Sequence, residues 1–164
     1  MPASPQSERC ERGPTPSVAP SCRQFNLVRR RAQIAEIEAL GGDVVICTDD
    51  GDWPARLREA TAGQGIIKAI DCVAGRTGAV VARGLAPGGR MLVYGALSSH
   101  RQTDPAAFEL PLFAPALIYS AATVQGWFLF HWLASHPLSE GRSALRGVLE
   151  RLASGVLRLP PALR

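Results

Sequence analysis

Apolar positions along the chain follow two alternating rhythms. Short aliphatic, β-branched runs at Phe25 to Val28, Asp43 to Thr48, Ile66 to Val73 and Arg90 to Tyr94 predict buried strands. Between them the spacing lengthens to that of helices. Arg31 to Leu40 places Ile34, Ile37 and Leu40 on one helical face, with Gly41-Gly42 as its stop. Asp52 is positioned to cap a helix running to about Ala62, ended by Gly63 and Gly65. Thr77 is positioned to cap a helix carrying Val80, Val81 and Leu85, and Pro87-Gly88-Gly89 to turn the chain into the next strand. Two further strands are predicted at Ala116 to Tyr119 and Thr123 to Phe130. A last helix begins at Ser139, with Leu145, Val148, Leu149 and Leu152 toward the core and Gly155 as its end.

Strands alternating with helices at this spacing predict an α/β fold, a doubly wound parallel sheet covered on both faces and joined by right-handed crossovers. In such sheets ligands lie outside the carboxyl ends of the strands. The turns after Val28, Val73 and Tyr94 and the segment around Gly126 are therefore the places to look for chemistry.

Composition narrows this picture. With 164 residues, 46% apolar and 20% charged, the chain suits a globular domain that needs neither disulfides nor metal to hold it. Residues 1–24 contain five prolines and almost no large apolar side chain, and are expected to be disordered. The positive charge is concentrated at the amino-terminal end, six arginines against two glutamates in residues 1–31, whereas the remainder is balanced. The basic character thus belongs to that end rather than to a globular face, and nucleic acid is not an expected partner. Cys10, Cys22, Cys47 and Cys72 form no C-x-x-C pair and accompany no histidine cluster, so no metal is expected. Without an apolar signal peptide the thiols are expected to stay reduced in the cytoplasm. Leu110 to Ser139 carries no charge and is long enough to span a bilayer, yet its prolines, Gln125, Gly126 and β-branched residues favour buried structure, and no membrane association is expected.

Three constellations carry candidate chemistry. Arg29-Arg30-Arg31 lies between a strand and a helix start, where guanidinium groups can clamp a phosphate by paired hydrogen bonds; an exposed basic turn is the plain alternative. Asp71-Cys72-Val73-Ala74-Gly75 and the run ending Tyr94-Gly95-Ala96 close successive strands with small residues that let backbone approach a flat ligand. Gly126-Trp127-Phe128-Leu129-Phe130 supplies aromatic rings able to wall a planar group or simply to pack a core or subunit interface. His131 and His136 have no partner at catalytic spacing, and Ser98-Ser99-His100 lacks the nucleophile elbow of a hydrolase.

These segments together resemble the cofactor-binding domain of the medium-chain dehydrogenase/reductase superfamily, in its zinc-independent branch of quinone reductases and 2-enoyl thioester reductases. The resemblance runs through FNLVRRRAQIAEIEALGGD, DWPARLREATAGQG, AIDCVAGRTGAVVARGLAPGGRMLVYGALS and TVQGWFLFHW, about residues 24–158. It implies a Rossmann-like domain over residues 25–164 and hydride transfer from NADPH. By position it places Arg29, Arg30 and Arg31 at the 2′-phosphate of NADPH, and Cys72 and Val73 beside its riboses. Tyr94, Gly95 and Ala96 fall near the nicotinamide end, and Trp127, Phe128 and Leu129 around the ring itself. The aromatic order is Trp-Phe here, where these reductases often show Phe-Trp.

The resemblance also implies what the chain lacks. It begins after the family's catalytic domain, after the first strand of the nucleotide fold, and after the glycine-rich turn whose helix receives the pyrophosphate. In a sheet ordered 3-2-1-4-5-6 the missing strand is central, so its absence leaves a gap of about 10 Å between the strands at Phe25 and Ile66. The prolines of residues 1–24 cannot supply the N–H groups a central strand donates. The expectation is a truncated, partial domain, with NADPH binding weak or lost and no catalytic residue. The competing expectation is a non-catalytic interaction module, pairing with a second copy or a full-length relative through the edge strand near residues 123–130.

Overall fold

The structure is a computed structural model that describes residues 23–157; the disorder expected of residues 1–24 falls, all but Arg23 and Gln24, outside the described residues. Five strands are present among them, and every pairing is parallel. β1 (Phe25–Val28) pairs with β2 (Val44–Cys47), Phe25 opposite Val44 and Val28 opposite Cys47. β3 (Ile66–Asp71), β4 (Leu85–Val93) and β5 (Thr123–Gly126) form a second sheet with β4 in the middle. Among the described residues no ladder joins β1 to β3, and the strands fall into two separate sheets.

Helices connect the strands as parallel pairing requires. A 3₁₀ turn at Arg31–Gln33 leads into α1 (Ile34–Ala39), which ends where Gly41 takes φ +95°. α2 (Trp53–Ala60) leads to β3, and α3 (Gly75–Arg83) joins β3 to β4. α4 (Ala114–Ser120) precedes β5, and α5 (Leu129–Ser135) and α6 (Leu138–Ala153) follow it. Gln24–Leu129 form one compact unit and the residues from Phe130 onward belong to another.

Burial follows the strands. Ile46 and Cys47 on β2 and Leu57 on α2 are buried, while Met91 on β4 packs with Ala82 of α3 and Leu85, flanked by Ile66, Ala69, Val81 and Val124. Withdrawing one such side chain from water contributes roughly 1.5–3 kcal/mol. Asn26 of β1 keeps a buried side-chain nitrogen without a hydrogen-bond partner among the described residues.

Several expectations are corrected. The predicted strand at Ala116 to Tyr119 is helix α4: Pro115 stands in its first turn, where a missing N–H is harmless, and Ser120 Oγ donates back to the Ala116 carbonyl. A short apolar run fits either state, and here the turn chemistry decides. The strand expected over residues 123–130 stops at Gly126, and Leu129 and Phe130 begin α5. Thr77 does not cap α3, which starts two residues earlier, and Asp52 stands at the start of α2 without a side-chain capping bond. Pro87-Gly88-Gly89 is not a turn ahead of the strand but an irregular stretch of β4, where the register shifts between Ile66 and Lys68. Leu145, Val148 and Leu149, expected toward the core, are exposed.

Candidate functional site

The tips of β1 and β2 are tied together. Thr48 donates its N–H to the Val28 carbonyl at 2.8 Å, and the Cys47 thiol donates to the Arg29 carbonyl at 3.2 Å. This holds the arginine triplet beside Asp49 and Asp50, the residues that follow β2. Arg31 Nη2 lies 2.8 Å from Asp50 Oδ1, Arg56 Nη1 of α2 lies 2.9 Å from Asp50 Oδ2, and Arg29 Nε lies 3.9 Å from Asp49 Oδ1. Arg30 is exposed; its backbone N–H donates to Gln33 Oε1. Two of the three arginines read from the sequence thus already face a carboxylate. Arg56 was not legible in the sequence, because nothing in local spacing places α2 against the loop after β2.

At the other sheet, the tips of β3 and β4 frame a cleft of about 740 Å³. Of the residues singled out in the sequence, Cys72, Tyr94, Gly95 and Ala96 line it together, joined by His100, Arg101 and Phe108. The loop after β4 is pinned to the end of β3, since Leu97 and Ser98 donate their N–H groups to the carbonyls of Cys72 and Val73, each at 3.0 Å. Gly95 is small because of that approach: a Cβ there would stand 2.9 Å from the Cys72 carbonyl oxygen. Its size serves the fit of two strand ends, not room for a ligand. Tyr94 is half-exposed, and its phenol pKa is raised. The main cause is the hydrogen bond between its hydroxyl and the Cys72 sulfur; repulsion from a Cys72 thiolate, burial, and the Asp71 carboxylate follow.

Asp71, buried at the end of β3, accepts the N–H groups of Val73 at 2.7 Å and Ala74 at 3.0 Å on Oδ1. Val73 therefore contributes backbone to the turn. Ala74 and Gly75 both take positive φ, +56° and +57°, so the chain enters α3 through a constrained bend. A carboxylate already lies at the amino end of this helix. Trp127, Phe128 and Leu129 do not line the cleft. Trp127 continues the β4–β5 ladder with its N–H on the Val93 carbonyl at 2.8 Å, and the three side chains are 37%, 63% and 46% exposed.

The model of the zinc-binding dehydrogenase family matches residues 24–152, which is most of the chain. The chain belongs to this family. A mitochondrial enoyl-[acyl-carrier-protein] reductase of Schizosaccharomyces pombe is 27% identical to it over 123 residues, 70% of this chain and 31% of that protein. A Bacillus thuringiensis protein assigned as an NADPH:quinone reductase superposes with a TM-score of 0.69 at 23% identity, over 84% of this chain and 39% of that one. CurA of Vibrio vulnificus, solved in complex with NADPH, does so with a TM-score of 0.67 at 18% identity, over 84% and 40%. The chain thus spans about a third of the curated relative and two-fifths of these structures. Zinc, implied by the family's name, finds no fitting site: among the described residues no three His, Cys, Asp or Glu side chains come together. Cys47 is buried on a backbone carbonyl and Cys72 faces Tyr94, so no step here runs through a metal.

Proposed function

We propose that this chain is the nucleotide-binding part of an NADPH-dependent oxidoreductase acting on a quinone or a 2-enoyl thioester, and that these residues alone do not catalyse. The observation that carries the reading is the arginine triplet at the β1 tip, in a parallel α/β unit whose β3 and β4 tips also open on a cleft. Arg29, Arg30 and Arg31 would meet the 2′-phosphate, and Cys72, Val73, Tyr94, Gly95 and Ala96 would lie along the rest of the cofactor. Trp127, Phe128 and Leu129 remain candidates for the nicotinamide end. When bound, NADPH supplies the hydride, and the protein supplies orientation and electrostatics.

Affinity is expected to be low. The chain has no G-x-G-x-x-G turn, and the Asp71 carboxylate, holding the Val73 and Ala74 N–H groups just ahead of α3, repels an anion from the amino end of that helix. Calorimetric titration should give an NADPH Kd nearer about 1 mM than about 1 µM, a gap of roughly 4 kcal/mol. A micromolar Kd overturns the weak-binding part; equal response to NADPH and NADH overturns the phosphate assignment.

A second reading, an interaction module, has one observation in its favour. β5 is an edge strand, and Ile118 and Tyr119 of the preceding α4 are 72% and 89% exposed within a segment free of charge. Light scattering on the eluting protein separates the two: a dimer indifferent to NADPH favours the module.

A further inference from the structure

The arrangement after β2 points to a residue outside the triplet. We infer that Arg56, held by Asp50, is a fourth arginine of the phosphate site and helps set preference for a 2′-phosphorylated nucleotide. This rests on the nucleotide-binding function proposed for the chain. The Asp50 side chain is only 9% exposed and gives one oxygen to each of two guanidinium groups, Arg31 at 2.8 Å and Arg56 at 2.9 Å. A carboxylate so enclosed is well shielded from water, whereas Arg31 and Arg56 remain 78% and 41% exposed on their side chains. Asp50 therefore works as a tether that sets two cations side by side, each with N–H donors still turned to solvent. Without that shared anion the two cations would repel.

The charge count fits a dianion. Arg29, Arg30, Arg31 and Arg56 stand against Asp49 and Asp50, which leaves two positive charges in excess, and a phosphate monoester carries about −1.5 to −2 at neutral pH. The unphosphorylated ribose of NADH offers hydroxyls alone and gains little from that excess. A purely structural Arg56–Asp50 pair would hold α2 to the loop after β2 and contribute nothing to nucleotide choice.

NMR titration of the whole chain with adenosine 2′,5′-bisphosphate and adenosine 5′-phosphate tests this, because the two probes differ only in the 2′-phosphate. The original chain should prefer the bisphosphate. Arg31→Gln and Arg56→Gln should each cut that preference about five- to tenfold while leaving the monophosphate unchanged, and Arg56→Lys, which keeps the charge, should restore part of it. An Arg56→Gln chain that keeps the preference while Arg31→Gln loses it overturns the role of Arg56 and leaves the nucleotide reading standing. If Arg56→Gln fails to fold, Arg56→Lys decides: undiminished preference overturns the role and a partial loss upholds it. An original chain that does not distinguish the probes overturns the nucleotide reading itself.

Discussion

At the scale of single residues, the cleft is shaped by a phenol and a thiol in contact. The Cys72 sulfur stabilises the protonated form of Tyr94, so its pKa stands above the ordinary tyrosine value. A raised pKa stabilises the fold at every pH below that of the unfolded tyrosine, and this contribution fades as pH rises through the folded value. Titrating a Tyr119→Phe chain, in which Tyr94 is the one tyrosine left, should show phenolate absorbance appearing late. Adding Cys72→Ala should move that midpoint down; an unmoved midpoint would remove the thiol as the cause. The sequence made Tyr94, Gly95, Ala96 and Cys72 visible because small residues at strand ends are a local pattern. It concealed Asp50 and Arg56, whose meeting depends on how α2 returns past the end of β2.

At the scale of elements, α3 and α6 each carry internal glycines with opposite meanings. A Cβ at Gly78 of α3 would collide with Asp71 Oδ2, the buried oxygen that has no hydrogen-bond partner, whereas at Gly147 of α6 it would meet only the flexible end of Arg151. Alanine is the better helix former by about 1 kcal/mol at either place. Gly78→Ala should nonetheless lower stability by about 1–3 kcal/mol, as overpacking does. Gly147→Ala should raise it by up to about 1 kcal/mol. Denaturant midpoints read both. The same elements show how far hydrophobic rhythm carries. β1 matched its predicted span, β2 was legible because a strand buried on both faces is a continuous apolar run, and β3 because its aliphatic residues are closely spaced. α4 was misread because a run as short as Ala-Leu-Ile-Tyr satisfies either geometry, and only Pro115 and Ser120 decide for helix. The Leu145, Val148 and Leu149 stripe is helical as expected, but helical spacing alone does not say what the stripe faces.

At the scale of the whole molecule, the two-sheet arrangement dominates. Among the described residues β3 pairs on one side only, with β4, and the Asp71 carbonyl accepts the Tyr94 N–H there at 2.9 Å. By the alternation of a parallel ladder, the N–H and C=O groups of Lys68 and Ile70 point the other way. Ile67 and Ile70 are 66% and 77% exposed, unusual for a strand that reads as a buried one. The fold class was legible from the order of elements, because strands alternating with helices leave parallel pairing as the one that fits.

That open margin carries its own reporter. Lys68 is the one lysine of the chain and is exposed on β3, so an amine-acylating reagent has a single side-chain target besides the terminal amine. Mass spectrometry after brief acylation should find Lys68 modified quickly in the isolated chain. Any polypeptide that seats itself along β3 should slow the modification without touching the arginine cluster, which makes one covalent footprint a gauge of whether that side of β3 is ever covered.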